Sequence, residues 1–334
     1  MNTRTILVGA AIAMVWLGDW RLAEGNAGVL SQTAFLAGEQ QTFGEEPDFI
    51  FLDAVGRLDG ADQTFIAPGD ESSRYSGLAL LNGELLVADF GNDEIRKLTT
   101  SGDPAGVFAS ILNPVHLETD SSGSVYTTSG HLSSPSCCGP PNTVATRFDS
   151  TGAITGQFMD NDLMHLAGID ADASGNVYIA HLGGELFKFA PSGTLIGVAT
   201  FPGLEMSDIA IDETGNRLFA GSVLADVGIH VFDISGTLPT LMETIPAPAS
   251  PPFYSSTEIV GVHYDSSSQH LFATDGLNTR AHEYDENFNL IASFLTENNG
   301  DVLRDIVTLP VPTPSSLSLL AIAVAGAACL RRRR

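Results

Sequence analysis

Between residues 75 and 309 the chain alternates short apolar runs with turns rich in Asp, Ser, Gly and Asn. Apolar runs of about four to eight residues, bounded by such turns, are typical of β-strands. One phrase recurs along this stretch: an apolar strand, an Asp/Gly turn, a second strand with an aliphatic or aromatic centre, a loop and a third strand. Its five copies span residues 77–108, 116–158, 168–201, 208–245 and 261–294. Repeats of this kind predict the four-stranded blades of a β-propeller.

The second strands of the five copies align as LLVAD, SVYTT, NVYIA, RLFAG and HLFAT. This alignment makes five apolar positions equivalent: Leu86, Val125, Val177, Leu218 and Leu271. Turns such as residues 172–176 and 212–216 join the first two strands, because Asp caps its own backbone and Gly or Asn tolerates a positive φ. The sequence DADASG at Asp170 looks like the start of an EF-hand calcium loop, but its twelfth position is His181 rather than Glu. We therefore interpret it as a turn.

A sixth copy is split between the two ends of the chain. Residues 303–309 (LRDIVTL) look like an inner strand, and residues 48–66 look like the outer strands of the same blade. Joined, they close the ring with strands from both termini and leave no open sheet edge. We predict an all-β, six-bladed β-propeller of four-stranded blades over residues 48–310, preceded by a linker or N-terminal extension over residues 24–47.

Two copies carry a more specific pattern, at residues 87–98 (VADFGNDEIRKL) and 273–285 (ATDGLNTRAHEYD). Both resemble the NHL repeat, which places Asp at the end of the second strand and Asn three residues later. The matching residues are Asp89 with Asn92, and Asp275 with Asn278 and Arg280, although Asp275 falls one position later than Asp89 in the alignment. We interpret these side chains as structural groups that bind backbone at the blade's loop. Propellers of this kind include NHL proteins and gluconolactonase-like hydrolases, so the resemblance implies a fold and leaves the function open.

Residues 1–23 have the features of an export signal. Arg4 precedes an apolar run over residues 6–17, and Ala23 and Ala27 are small residues near a cleavage region. The apolar run is shorter than the roughly 20 residues that a membrane span needs. The segment is therefore predicted to be a secretory signal peptide.

Residues 311–334 (VPTPSSLSLLAIAVAGAACLRRRR) combine a Pro-containing motif, an apolar run and an arginine cluster. This order resembles the PEP-CTERM sorting signal, with Thr313 where the family has Glu. The matching residues are Val311, Pro312, Pro314, Ser315, Arg331, Arg332, Arg333 and Arg334. Such arginines stay cytoplasmic, so the body lies outside and contacts the membrane only through the unprocessed tail. The resemblance implies processing by an exosortase and a cell-surface or extracellular location in a Gram-negative bacterium that makes exopolysaccharide.

The formal net charge is −25, and both predicted end segments contain more basic than acidic residues, so the body is more acidic still. Such a body repels phosphate backbones, which argues against nucleic-acid binding. The three cysteines are Cys137, Cys138 and Cys329, and the last lies in the tail. Neighbouring Cα atoms are about 3.8 Å apart, too close for an unstrained disulfide, so no disulfide framework is expected.

The polar residues of the body that are candidates for binding a ligand are expected at the central channel. The residues just before the apolar core of each inner strand are Gly77, His116, Gly168, Asp208, Gly261 and Asp305. One imidazole and two carboxylates, His116, Asp208 and Asp305, can hold a divalent cation such as calcium, manganese or zinc with open positions. The alternative is that these groups satisfy one another or water. Other polar residues expected nearby are Glu118, His165, Glu205, Glu258 and His263.

No sequence motif for nucleophilic catalysis is present: there is no Gly-x-Ser-x-Gly, Walker loop, Gly-x-Gly-x-x-Gly after a strand or His-Glu-x-x-His. No catalytic residue is assigned, and a divalent cation is the one cofactor considered. The sequence favours a non-enzymatic surface propeller that binds a polysaccharide or an envelope protein through its channel mouth and loops. The alternative is a metal-dependent hydrolase or lyase of the gluconolactonase or NHL-lyase kind.

Overall fold

The computed structural model describes residues 32–42, 50–59, 62–68, 73–129, 145–158, 166–212, 214, 216–249, 256–278, 280–295 and 302–309. These residues form 24 β-strands. The strands assemble into six four-stranded antiparallel sheets. Within the described ranges, no helix is long and apolar enough to span a membrane.

The strands follow one another in chain order. β1 (Thr33–Thr42), β2 (Ile50–Asp59) and β3 (Asp62–Pro68) come first. Blade 1 contains β4 (Tyr75–Leu81), β5 (Glu84–Asp89), β6 (Glu94–Thr99) and β7 (Pro104–Ser110). Blade 2 contains β8 (Pro114–Thr119), β9 (Val125–Ser129), β10 (Ala145–Phe148) and β11 (Ile154–Phe158). Blade 3 contains β12 (Leu166–Ala171), β13 (Val177–His181), β14 (Glu185–Phe189) and β15 (Leu195–Thr200).

Blade 4 contains β16 (Met206–Asp212), β17 (Arg217–Ser222), β18 (Gly228–Asp233) and β19 (Thr240–Pro246). Blade 5 contains β20 (Ile259–Asp265), β21 (His270–Asp275), β22 (Arg280–Tyr284) and β23 (Leu290–Leu295). The last strand, β24 (Val302–Thr308), joins β1, β2 and β3 in what we call the composite sheet. The prediction of an all-β propeller with four-stranded blades is confirmed. Five blades are made of consecutive strands, and the composite sheet takes the place of the predicted sixth.

The composite sheet differs from the prediction in its strand order. Residues 303–309 were expected to pair directly with strands from residues 48–66, and this is wrong, because β1 lies between β24 and β2. Ala37 in β1 pairs with Asp305 on one side and Val55 on the other. Phe35 in β1 is fully buried, which gives the strand a packing reason to join the sheet. The segment treated as a linker therefore supplies a strand.

The inner strands surround a central channel. β4, β8, β12, β16, β20 and β24 contact one another in this order, and β24 also contacts β4. The hydrophobic core lies between the sheets, where each cluster combines residues of two neighbours: Tyr126 and Phe158 of blade 2, for example, pack with Val177 and Phe189 of blade 3. The rings of Phe158 and Phe189 meet edge to face with centroids 5.7 Å apart. Apolar burial between neighbours thus holds the ring together.

Each blade of consecutive strands has the same irregularity. The first residue of the inner strand pairs with the last residue of the second strand, and a register shift follows, as for Tyr75 with Asp89 and Ile259 with Asp275. Counting back from these pairs makes Leu85, not Leu86, equivalent to Leu271. The sequence alignment was therefore wrong by one residue in the first copy, where Leu85 and Leu86 are both apolar and both fully buried.

Candidate functional site in the central channel

The strand register brings six predicted positions to one level of the channel. In each inner strand, a register shift follows one paired residue, and the predicted position lies two residues after that paired residue. We call this set the channel ring: Gly77, His116, Gly168, Asp208, Gly261 and Asp305. Glycine and polar residues alternate around it, as the sequence predicted.

The glycines of the channel ring are required by the close approach of the next strand. A Cβ atom on Gly168 would lie 2.2 Å from the backbone nitrogen of Ile209 and 2.6 Å from Asp208 Oδ1. A Cβ atom on Gly77 would lie 2.4 Å from the carbonyl oxygen of Val115. Neither approach is possible for a residue with a side chain. The alternation therefore follows from packing, since each glycine makes room for the strand that carries the next polar residue.

Carboxylates of the channel connect neighbouring inner strands. Asp305 Oδ2 accepts a hydrogen bond from the Leu78 amide at 2.6 Å, and its Oδ1 accepts one from Ile306 at 2.7 Å. Asp208 Oδ2 accepts from the Val262 amide at 3.1 Å. The inner-strand edges have free amides that need acceptors, and these side chains supply them. The carboxylates therefore act as links between blades.

Asp170, two residues beyond Gly168, makes a third link of this kind. Its Oδ2 accepts a hydrogen bond from the Ile211 amide at 2.7 Å, and its Oδ1 accepts one from Ala171 at 2.6 Å. The following turn is formed by Asp172, whose Oδ1 accepts from the amides of Ser174 and Asn176, each at 2.9 Å. These contacts fit the turn interpretation of this sequence.

His116 and Asp208 meet across the channel ring. His116 Nδ1 lies 3.1 Å from Asp208 Oδ1, the same oxygen that a side chain on Gly168 would displace. Neither ring nitrogen of His116 makes a hydrogen bond to a residue that the structure describes, and the side chain is 7% exposed. In the part of the chain that the structure describes, no group of three or more His, Cys, Asp or Glu side chains is arranged to hold a metal ion. The structure thus pairs two of the three predicted ligands, and a metal there stays a prediction.

A cavity of about 440 Å³ occupies the channel one level beyond the ring. All six inner strands line it, and so do the turns that follow three of them, at Ser121, Thr214 and Ser266. These three turn residues are exposed, so the cavity opens at the face where the inner strands end. We call this face the exit face and the cavity the exit cavity. Its polar lining includes Glu118 and His263.

Two buried carboxylates of the channel, Glu118 and Asp305, have raised pKa values. Burial and the nearby charges of Asp170, Asp208 and Asp305 raise the pKa of Glu118 well above its usual range. Burial and Asp208 likewise raise the pKa of Asp305, although its two backbone hydrogen bonds act in the opposite direction. Burial lowers the pKa of His263 to about 4, against the opposing effect of Asp265 and Asp208. His263 is therefore neutral at pH 7, and a proton is held more tightly by Glu118 and Asp305 than by ordinary carboxylates.

The NHL-like residues lie at the other end of the strands and serve the blade itself. Asp89 Oδ1 accepts hydrogen bonds from the amides of Arg74 at 3.0 Å and Asn92 at 3.3 Å. Its Oδ2 accepts from Asn92 Nδ2 at 2.9 Å and lies 3.0 Å from Arg96 Nε. The side chains therefore fix the loop that follows β5.

Asp275 repeats this arrangement in blade 5. Its Oδ1 accepts from the amides of Leu277 at 3.0 Å and Asn278 at 3.2 Å, and its Oδ2 accepts from Asn278 Nδ2. Asn278 Nδ2 also donates to the Ser256 carbonyl at 2.8 Å. Arg280 pairs opposite Asp275 in the sheet, and its Nη1 contacts Ser293 Oγ at 3.5 Å. These contacts fit the structural interpretation, and the corrected register removes the offset between Asp89 and Asp275.

The remaining sequence expectations have mixed outcomes. Glu118 and His263 were predicted only to lie near the channel ring, and both line the exit cavity. The sequence signal for them is their position, two residues after His116 and Gly261. Glu205 is exposed and Glu258 is half-buried, and neither lines the exit cavity. Four expectations lie outside the described residues: His165, Cys137 with Cys138, the signal peptide at 1–23 and the sorting tail at 311–334.

No protein-family model matches this chain, and no curated protein matches it in sequence. Solved structures do match. A structure of the nidogen/laminin complex is 13% identical, with a TM-score of 0.57 over 82% of this chain and 97% of that one. The WD40 β-propeller domain of Doa1 is 12% identical, with a TM-score of 0.54 over 81% and 87%. A gluconolactonase from Xanthomonas campestris is 19% identical, with a TM-score of 0.51 over 75% and 89%. At these identities the likeness shows the propeller fold alone.

Proposed function

We propose that this chain is an exported, non-enzymatic propeller that binds a polysaccharide or an envelope protein at the cell surface or in the extracellular matrix. The observation that carries the proposal is that channel carboxylates accept backbone hydrogen bonds and link neighbouring blades. Both oxygens of Asp305 accept backbone hydrogen bonds, one of them from the next inner strand. A carboxylate that is bonded in this way ties neighbouring blades together. Solved propellers of similar shape include a binding complex, which is compatible with this proposal.

The proposal includes the six-bladed ring and the export route. The composite sheet serves as the sixth blade and closes the ring with strands from both ends of the chain. The signal peptide directs export, and an exosortase processes the tail at the membrane. Deleting residues 331–334 should misroute the protein in cell fractionation, whereas Arg147→Ala, which removes a positive charge from a blade, should leave its location unchanged. Unchanged surface display after the tail deletion would contradict the assignment.

A metal-dependent hydrolase or lyase is the second candidate, and one observation favours it. His116 is buried, its Nδ1 faces Asp208 Oδ1, and its Nε2 has no hydrogen-bond partner among the described residues. Free imidazole nitrogens are common metal ligands. A gluconolactonase of similar fold is also among the solved structures.

A turnover assay with a binding assay separates the two candidates. The purified full chain is incubated with gluconolactone and calcium, manganese or zinc, beside the variants His116→Ala and His181→Ala. Because His181 lies on a second strand and pairs with Glu185, its replacement is a matched control. We expect hydrolysis at the buffer rate in all cases, and co-sedimentation with the exopolysaccharide or envelope fraction. Metal-dependent hydrolysis that His116→Ala abolishes and His181→Ala retains would establish the enzyme instead.

A further inference from the structure

The turn between β4 and β5 consists of Asn82 and Gly83. It is a two-residue hairpin loop, because Leu81 at the end of β4 pairs with Glu84 at the start of β5. Both loop residues have positive φ angles, 53° at Asn82 and 82° at Gly83. Positive φ at both positions defines a type I′ turn, which favours Asn followed by Gly. Both residues are exposed, and they lie at the exit face because β4 ends there.

The two loop residues are not held by other groups. Neither the Asn82 side chain nor the Gly83 amide makes a hydrogen bond to a residue that the structure describes. A Cβ atom placed on Gly83 would meet nothing within 4 Å, so the space around the glycine is open. Rotation of the backbone at Asn82 can therefore bring the Gly83 nitrogen to Cγ of the Asn82 side chain.

An Asn that precedes Gly can lose its side-chain amide, because glycine has no side chain to hinder attack by its nitrogen. Hydroxide removes the proton of the Gly83 amide, and the nitrogen attacks Asn82 Cγ to form a five-membered succinimide ring. The bond between Cγ and Nδ2 breaks, and Nδ2 leaves as ammonia with a proton from water. A water molecule then opens the ring: attack at Cγ gives aspartate, and attack at the Asn82 backbone carbonyl gives isoaspartate.

We propose that the Asn82–Gly83 turn is a site of spontaneous deamidation, and that the isoaspartate formed there weakens the closed ring. Isoaspartate adds one carbon atom to the main chain of the loop, which disturbs the two-residue geometry that Leu81 and Glu84 close. β4 contacts β24, and the Leu78 amide in β4 donates to Asp305. The modification therefore acts on the inner strand against which the ring closes.

Asp275 and Gly276 form an internal comparison. An Asp–Gly pair cyclises by the same attack and loses water instead of ammonia. The Gly276 amide, however, donates to the Glu258 carbonyl at 3.0 Å. Asp275 is 1% exposed, and its carboxylate accepts hydrogen bonds from Leu277 and Asn278. Since cyclisation would break these hydrogen bonds, we expect this pair to be unreactive in the folded chain.

The test incubates the purified full chain at pH 6 and pH 9, folded and in urea. Peptide mapping by mass spectrometry detects the gain of about one dalton at Asn82, and methylation by an isoaspartyl methyltransferase measures isoaspartate. We expect conversion at Asn82 to be at least tenfold faster at pH 9 than at pH 6, because the attacking nitrogen must lose a proton. In the folded chain it should be at least tenfold faster than isomerisation at Asp275.

Two variants separate the effect of the added charge from that of the longer main chain. Asn82→Gly keeps a residue that tolerates positive φ and removes the reactive amide, so its melting temperature should not change during incubation. Asn82→Asp has the charge of the product with a normal main chain, and when fresh it should melt like the fresh wild type. The incubated wild type should melt at least about 3 °C lower than when fresh.

Three outcomes would overturn the inference. Conversion of Asn82 in urea but not in the folded chain would show that the turn protects the amide. Equal rates at Asn82 and Asp275 would show that exposure and hydrogen bonding do not select the site. An equal loss of melting temperature in incubated Asn82→Gly would place the weakening elsewhere. The inference does not depend on the proposed binding function, which co-sedimentation tests separately.

Discussion

Carboxylates in the channel and carboxylates in the turns both accept hydrogen bonds from the backbone, but their pKa values are shifted in opposite directions. Asp265, in the turn after β20, accepts from the Ser267 amide at 2.9 Å and from the hydroxyls of Ser267 and Ser268. Although its burial favours the neutral form, these hydrogen bonds lower its pKa. Asp305 also accepts two hydrogen bonds, yet burial and the charge of Asp208 raise its pKa. Deeper burial, the charge of Asp208 and fewer hydrogen bonds separate Asp305 from Asp265.

The two carboxylates also differ in which parts of the chain they connect. Asp265 organises residues two and three positions away along the chain. Asp305 bonds to Leu78, which is 227 residues away, and so joins the last described strand to blade 1. A turn carboxylate stabilises local structure, whereas a channel carboxylate stabilises the closed ring and tolerates an unfavourable charge environment to do so.

The largest expected effect comes from removing a channel carboxylate together with its strand. A chain ending at residue 299 lacks β24, so the inner ring opens and the apolar surfaces of blades 1 and 5 that contact β24 become exposed to water. We expect this chain to aggregate or to lose its cooperative unfolding transition in calorimetry. A chain ending at Pro310 retains β24 and should unfold normally. Similar melting of both chains would show that β24 does not close the ring.

The next effect tests the close approach within the channel ring. Gly168→Ala should lower the free energy of unfolding by roughly 1–3 kcal/mol, because the new Cβ atom overlaps Ile209 and Asp208. Gly156→Ala is the matched control, since its nearest contact would be the Arg147 guanidinium at 3.4 Å and its φ is not positive. Urea unfolding measures both variants. Equal losses would mean that the glycine at the ring is not set by packing.

The pH dependence of stability distinguishes the two kinds of carboxylate. The raised pKa of Asp305 means that its contribution is present below its unfolded pKa, near 4, and is lost as pH rises through its folded pKa. The lowered pKa of Asp265 means that its contribution is present above its unfolded pKa and is lost as pH falls through its folded pKa. Asp305→Asn should therefore flatten the decline in stability at rising pH by up to about 1.4 kcal/mol per pH unit. Asp265→Asn should flatten only the acid side.

Urea unfolding of the two variants between pH 3 and pH 9 measures these slopes. Glu118 lies near Asp305 and its pKa is raised as well, so the flattening by Asp305→Asn should be partial. An Asp305→Asn variant that changed only the acid side would contradict the distinction.

The smallest expected effect is that of divalent metal ions. If His116, Asp208 and Asp305 formed a metal site, a metal at one hundred times its dissociation constant would stabilise the fold by about 2.7 kcal/mol. Because Asp305 is bonded to two backbone amides, we expect calcium, manganese and zinc to stabilise the chain by less than about 0.5 kcal/mol, a value typical of surface effects. A larger shift in melting temperature that disappears in the Asp208→Asn, Asp305→Asn double variant would restore the metal interpretation.

The sequence was sufficient for the features that depend on local pattern. Alternating apolar residues and Asp/Gly turns predicted the blades, and the residue types of the channel ring could be listed before their geometry was known. β1 was missed because residues 33–42 lie far along the chain from their partner β24, and nothing local signals a pairing across this distance. Leu85 and Leu86 are both apolar, so pattern alone could not fix their register.

The site was only partly predictable for a related reason. The sequence supplied His116, Asp208 and Asp305, but it could not show that Asp305 would turn to the backbone of blade 1. The position of Glu118 in the exit cavity depends on the side chains of all the other inner strands. The direction of each of these side chains and the residues around it are set by the closed ring. No single repeat contains that information.

The pairing of β1 with β24 would determine how the molecule is oriented if the proposed sorting tail held it at a surface. The amide of Leu309 donates to the carbonyl of Thr33 at 2.9 Å, so the start of β1 and the end of β24 lie side by side. That place is beside the exit cavity, which Val307 and Thr308 line. A propeller tethered through its C-terminal tail would thus stand with the cavity turned towards the surface that holds it. Its first accessible partners would be neighbours on that surface, and the opposite face would look outward.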